Sequence, residues 1–261
     1  MAMIKKIHYC WFGGEKPELV KRNVEHWTKL NPDFEICEWN ESNIDVSTYE
    51  FGRRAAADGK WGFLADIVRL EKLIEHGGVY MDADVELIRP FESIICKKDE
   101  NRLIMGYMFD CALGTAVLYA PPGHTYLKEI LASYRYIKPD IYPVNNTIFT
   151  AYFINHAENF LLNGKEWENE LCHVYPKEMF EQPSFIKSRG MSIHHGCGSW
   201  RKAFNDLFVF KSNRVGLDHV IQWAGRKRDV WKALKCNEFE PCYRAAVRGR
   251  RMPFDVSPYY E

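Results

Sequence analysis

The chain has 261 residues, enough for one large domain or a domain with an appendage. Hydrophobic residues make up 46% and charged residues 27%, and 35 Lys+Arg balance 35 Asp+Glu, so the global charge signature of a nucleic-acid-binding protein is excluded. No stretch approaches the ~20 apolar residues of a membrane span. The N-terminus has no signal-peptide core, and the 8 Cys show no C-x-x-C spacing, so reduced thiols in a cytoplasm are expected.

Residues 4–12 read as a first strand, apolar and aromatic, closed by Gly13-Gly14. Pro17 can open a helix that runs to about Leu30, where Asn31-Pro32-Asp33 breaks it. Residues 34–39 alternate with period two, as a half-exposed strand does. Strand, helix, strand is the opening of an open parallel α/β sheet. Over residues 62–76, Phe63, Ile67, Val68, Leu70, Leu73 and Ile74 give a helix its apolar face, and Gly77 can take the left-handed conformation that ends it. Residues 79–81 form a short buried strand, and residues 85–88, 102–107 and 116–120 read as extended chain. After the Pro121-Pro122-Gly123 turn, helices are expected over 124–135 and 146–155, and strands over 171–175 and 191–194.

Beyond Trp200 the pattern is helical, clearest over 218–223 and 229–236. Residues 201–261 hold 13 Lys+Arg against 7 Asp+Glu, a net +6 that leaves −6 for the remainder. The basic excess gathers in Arg226-Lys227-Arg228 and Arg248-Gly249-Arg250-Arg251. It reads either as a solvated tail or as attraction to an anionic membrane or a phosphorylated lipid carrier. Residues 1–200 are therefore expected to form the main domain. Residues 201–261 would be a basic, mainly helical extension packed on or beside it.

The densest chemical signal is His76-Gly77-Gly78-Val79-Tyr80-Met81-Asp82-Ala83-Asp84-Val85, a short apolar strand that stops on two carboxylates. Ionised Asp is rarely buried unless it is paired or binds a metal. Hard oxygen ligands at a strand end suit Mg²⁺ or Mn²⁺ bridging to a substrate phosphate. In a regular strand Asp82 and Asp84 would face one side and converge on one ion. If the chain turns at Asp82, one would bind the metal and the other a ribose hydroxyl or a water. Asp66 and Arg69, three apart on a helix, are either a surface ion pair or a polar pair aimed into the cleft to grip sugar hydroxyls. The segment Ile193-His194-His195-Gly196-Cys197-Gly198-Ser199-Trp200 offers imidazole to Mn²⁺ and the Ser199 hydroxyl and Trp200 N–H to a phosphate, unless the His pair only caps local backbone. Trp11, ending the first strand, is core or a stacking platform for a nucleobase. Asn145-Asn146 is a candidate for reaching an acceptor hydroxyl.

Taken together, five blocks resemble a known family. These are residues 7–14, the span from Asn31-Pro32 to Trp39-Asn40, residues 63–70, residues 75–85, and the span from His194-His195 to Ser199-Trp200. They resemble the family 32 glycosyltransferases, the DXD-sugar-binding type of capsular polysaccharide synthesis in bacteria. More remotely they are similar to the catalytic domains of the large clostridial glucosylating toxins. The resemblance covers most of residues 4–200 in order and none of 201–261. It implies a GT-A fold, a Rossmann-like and mostly parallel sheet flanked by helices, here with a helical C-terminal region.

The resemblance also implies a retaining, Mn²⁺- or Mg²⁺-dependent transfer from a nucleotide-sugar, UDP-sugar in first place, to a saccharide or lipid-linked saccharide. The acceptor would attack on the face the donor leaves, with the departing phosphate taking its proton. Carried over by position, Trp11 would stack on the base, Asp66 and Arg69 would hold the donor sugar, and Asp82 would contact ribose and sugar. Asp84 and His195 would bind the metal with help from Asp82, and Ser199 and Trp200 would contact the diphosphate. Gly196-Cys197 departs from the bulkier residues usual there. The expected setting is the cytoplasm, at the inner membrane face through the basic C-terminal region, with no nucleic-acid partner. Two rival classes use the same residues. A nucleotide-sugar hydrolase would release product regardless of acceptor, and a carbohydrate-binding module would need no metal-diphosphate clamp.

Overall fold

The structure, a computed structural model, describes residues 3–95, 98–186, 190–196 and 217–261. Strand β1 (Lys6–Cys10) leads through helix α1 (Glu18–Leu30) to β2 (Glu35–Trp39). Helices α2 (Glu50–Ala57) and α3 (Trp61–His76) precede β3 (Gly78–Met81), β4 (Val85–Leu87), β5 (Leu103–Phe109), β6 (Ala112–Leu113) and β7 (Val117–Ala120). Then come α4 (Thr125–Ser133), α5 (Asn145–His156), β8 (Trp167–Glu168), β9 (Cys172–Tyr175), β10 (Ser192–His194), α6 (Leu217–Cys236) and α7 (Glu240–Val247).

The fold is mixed α/β with a mostly parallel central sheet and flanking helices, as expected. Strand order is β2-β1-β3-β7-β5-β9-β8, with β6 added to β5, and a separate ribbon pairs β10 with β4. Strands β1, β2 and β3 are mutually parallel, and β9 is parallel to β5. Strand β7 runs antiparallel to both its neighbours, β3 and β5. The short link between β5 and β7 explains this. It holds only β6 and a few turn residues, whereas a parallel return needs a crossover of a dozen residues or more.

Helices cover both faces. On one, Trp27 of α1 packs with Ile7, Tyr9, Val79 and Met81. On the other, Leu64, Ile67, Leu70 and Leu73 of α3 pack with Tyr80, Leu118 and the buried residues of α4 and α5. Alternate residues of β3 therefore feed opposite cores, as the two-residue period of a strand requires. Gly77 ends α3 with φ +65°, in the region glycine favours, where an added Cβ would meet Ile4 and Pro122 at 2.7 Å. Helix α2 is one element that the periodicity does not announce. It has only eight residues and contains Gly52, and that glycine sets its backbone close to Ile67 and Leu64 of α3. The two pieces expected over 218–223 and 229–236 are one helix, α6. The C-terminal chain joins the main core: Phe239 and Cys242 of α7 are buried in it, and the Asn155 amide group donates to and accepts from the Phe254 backbone at 3.0 and 2.9 Å. Among the described residues no helix is long and apolar enough to cross a membrane.

Candidate functional site

Strand β1 lies between β2, which it reaches through α1, and β3, which the chain reaches by returning from β2 past β1 through α2 and α3. Such a reversal opens a crevice at the carboxyl ends of the strands, where ligands of open α/β sheets bind. Asp82 emerges there from β3, its N–H donated to Ala116 O at 2.8 Å. Val85 N–H then donates back to Asp82 O at 3.0 Å, closing a four-residue turn over Asp82-Ala83-Asp84-Val85. The chain therefore turns at Asp82 rather than continuing as a strand.

Helix α1 clamps this turn from below. Asn23 Nδ2 donates to Ala83 O at 2.9 Å and Trp27 Nε1 to Val85 O at 3.0 Å, and His26 Nε2 lies 3.0 Å from Leu87 O. From the other side the β10 ladder sets His194 opposite Val85, and His195 N–H donates to Asp84 O at 3.3 Å. The antiparallel ribbon thus brings residues some hundred positions apart onto one spot.

Arg69 organises the carboxylates. Its Nη2 lies 3.0 Å from Asp66 Oδ1 and 3.2 Å from Asp82 Oδ1, and its Nη1 donates to Thr115 O at 2.6 Å. The Tyr80 hydroxyl adds a 3.1 Å hydrogen bond to the same Asp82 oxygen, and the guanidinium stacks 4.6 Å from the Tyr80 ring centre. Both members of the Asp66–Arg69 pair are buried, so it is not a surface ion pair. Burial pushes the Asp66 carboxyl up to about 7 against the pull of Arg69. Burial raises Asp82 as well, with Arg69 and His194 pulling the other way. It also opposes the charge on Arg69, but Asp82, Tyr80 and Asp66 outweigh it and hold the guanidinium ionised.

Of the two histidines, His194 joins the acidic pair. Its Nε2 is 3.3 Å from Asp84 Oδ1 and 4.0 Å from Asp82 Oδ2, and its Nδ1 is 2.7 Å from Glu181 Oε2. Burial disfavours the imidazolium, but Asp84 and Glu181 outweigh it and push the pKa well above the ordinary histidine value. His195, the expected ligand, instead sets its Nε2 3.0 Å from Glu86 Oε2. The reason is strand alternation: neighbours on extended chain point to opposite sides, so His195 faces Glu86 while His194 faces the aspartates. Asp82, Asp84 and His194 each offer a ligand atom within 4.8 Å of the others. Two carboxylates and an imidazole suit Mn²⁺ and admit Mg²⁺, so the residues present fit a divalent cation.

Trp11 stands half-buried beyond β1, its N–H donated to Gly14 O at 2.9 Å. Ser199 and Trp200 lie outside the described residues. Two buried donors beside Asp66 lack partners, Arg69 Nε and Asn145 Nδ2, and the Asn145 backbone N–H bonds the Asp66 carboxylate. Unpaired buried donors beside a carboxylate that can both give and accept hydrogen bonds suit a polyol. Tyr80 and Glu181 join the cluster without being among the candidates that the sequence offers. Tyr80 could have been read from its place two residues before Asp82 on the same strand face, but Glu181 carries no local signal.

Residues 17–101, roughly a third of the chain, match the family described as "Glycosyltransferase sugar-binding region containing DXD motif". The match spans α1, α3 and the Asp82–Asp84 turn, and it supports a glycosyltransferase-like function. Among curated proteins, Subversion of eukaryotic traffic protein A of Legionella pneumophila is 25% identical over 33% of this chain and 18% of its own length, so the chain spans under a fifth of that relative. Among solved structures, PaToxG Glycosyltransferase aligns with TM-score 0.42 and 17% identity over 50% of this chain and 60% of its own. A glycosyltransferase involved in the glycosylation of the major capsid of PBCV-1 aligns with TM-score 0.42 and 13% identity over 72% of this chain and 92% of its own.

Proposed function

We propose that the protein is a retaining, metal-dependent glycosyltransferase of GT-A type. It would move a sugar from a nucleotide-sugar, UDP-sugar in first place, to a saccharide or lipid-linked saccharide in surface polysaccharide synthesis. The observation that carries this reading is the convergence of Asp82, Asp84 and His194 beside the buried Asp66–Arg69 pair, at the carboxyl end of the sheet. A cation bound there supplies Lewis-acid stabilisation of the diphosphate that departs. Arg69 and Tyr80 hold one oxygen of Asp82, which leaves the other turned toward His194 and Asp84. Asp66, Arg69 and Asn145 orient the donor sugar through its hydroxyls. Trp11 offers a face to the base, and Ser199 and Trp200 remain the candidates for the diphosphate.

The test is release of nucleoside diphosphate across a panel of nucleotide-sugars, with and without saccharide acceptors. Asp84→Ala is expected to lower turnover by at least about 10²–10³-fold, the scale of losing one preorganised stabiliser, with circular dichroism unchanged. Near-normal turnover in that variant would overturn the assignment. Release indifferent to every acceptor would make the protein a hydrolase instead.

The partner we assign to α6 is the anionic inner face of a membrane, where a lipid-linked acceptor would be presented. Leu217, Ile221 and Trp231 are 74%, 56% and 55% exposed and recur at helical spacing. Arg228, Lys232 and Lys235 are exposed along the same face. An apolar stripe with basic residues beside it is the pattern of a helix lying in a lipid interface.

A further inference from the structure

We infer that Glu181 is a positioning residue for the cation site, fixing the ring of His194 so that Nε2 faces Asp84 and Asp82; the inference rests on the metal-dependent function proposed above. Glu181 is 2% exposed, on the segment between β9 and β10. The 2.7 Å contact between its Oε2 and His194 Nδ1 keeps a hydrogen on Nδ1 when a cation displaces the proton from Nε2, because a ligating imidazole is neutral and holds only one. The other ring nitrogen is thereby directed at the two aspartates. A carboxylate behind a ligating imidazole fixes both the tautomer and the ring orientation.

The carboxylate is itself held in a built recess. Its Oε1 accepts the Ala116 N–H at 3.2 Å, and the carbonyl of the same Ala116 accepts the Asp82 N–H at 2.8 Å. One residue of the β6–β7 link therefore indexes both Glu181 and Asp82. Gly114, two residues earlier, leaves the room: a Cβ there would lie 2.2 Å from Glu181 Oε1 and 2.7 Å from its Cδ, and no left-handed backbone demands glycine at that position. The backbone closes the frame, with His194 N–H donating to Glu181 O at 3.2 Å and the Ser192 hydroxyl to Phe180 O at 2.8 Å. Close approach of this one side chain thus accounts for Gly114.

The experiment is Mn²⁺ titration of the full chain, followed by electron paramagnetic resonance, with Co²⁺ absorption to read coordination geometry. Glu181→Ala is expected to weaken Mn²⁺ binding 10–100-fold, the usual effect of losing a partner behind a metal ligand, and to change the Co²⁺ spectrum. Gly114→Ala, which removes no polar group, shifts affinity in the same direction by displacing the carboxylate. Glu181→Gln keeps an acceptor for Nδ1–H and falls between wild type and Glu181→Ala. Wild-type affinity, within twofold, and an unchanged Co²⁺ spectrum in Glu181→Ala would overturn the inference. If that variant does not fold, the same result in both Glu181→Gln and Gly114→Ala overturns it. A wild-type protein that takes up no Mn²⁺ would sink the metal-dependent function itself, a distinguishable failure.

Discussion

Arg69 carries one buried positive charge between two carboxylates, Asp66 and Asp82, and donates from Nη1 to the Thr115 carbonyl. Among its neighbours, Arg69 opposes the cost of burying Asp66 most strongly. Removing one partner of a buried ion pair strands the other, at a cost of about 3–5 kcal/mol. Arg69→Met is therefore expected to destabilise the fold on that scale in urea denaturation at neutral pH. Adding Asp66→Asn should recover part of the loss, because a neutral amide no longer needs a countercharge. A lysine would not substitute well, since a point charge cannot reach both aspartates and Thr115 through a planar fork. A loss below about 1 kcal/mol in Arg69→Met would show that water reaches the cluster and screens it.

At the scale of elements, the seam between β2, β1 and β3 contains a second buried polar group. His8 of β1 sets Nε2 2.9 Å from Gly77 O and receives the Trp39 N–H on Nδ1 at 3.2 Å, so both nitrogens are committed to one neutral tautomer. Burial lowers its pKa to about 4, with the Gly77 carbonyl pulling the other way. The unfolded chain takes up a proton near pH 6.5 and the folded chain only near 4. Between those values the unfolded state binds more protons, so stability falls as pH falls, by about 3 kcal/mol across the window. Denaturation midpoints measured from pH 7 to 4 should show this limb, and His8→Gln should flatten it; an identical limb in the variant would assign acid sensitivity elsewhere. These central elements were also the most legible in the sequence. The strands β1 and β3 and the helix α3 have strong apolar periodicity and glycine stops, because they are buried and sharply ended. Strands β6 and β8 have two residues each, too few to show a period, and the reversed direction of β7 follows from a short link rather than from its own residues.

At the scale of the molecule, the site is assembled from pieces whose separate meanings differ from their joint one. The Asp82–Asp84 turn and the Asp66–Arg69 spacing could be read locally, because each lies within one or two elements. Which histidine faces the Asp82–Asp84 turn could not, since the phase of β10 against β4 decides it, and that phase is a tertiary fact. The C-terminal region shows the same division. Its positive balance was visible in composition, but the exposed face of α6 appears only once the helix is continuous. If that face docks on lipid, attraction should need both parts of the pattern. The full chain should co-sediment with vesicles containing anionic phospholipid at 0.15 M salt and less at 1 M, where the Debye length shrinks to about 3 Å. Lys232→Glu with Lys235→Glu should weaken anionic-vesicle binding roughly tenfold or more. Trp231→Ala should weaken it while leaving the salt dependence in place, because the ring contributes apolar area rather than charge. Equal pelleting with neutral vesicles would remove the electrostatic half of the claim, and no effect of Trp231→Ala would remove the apolar half.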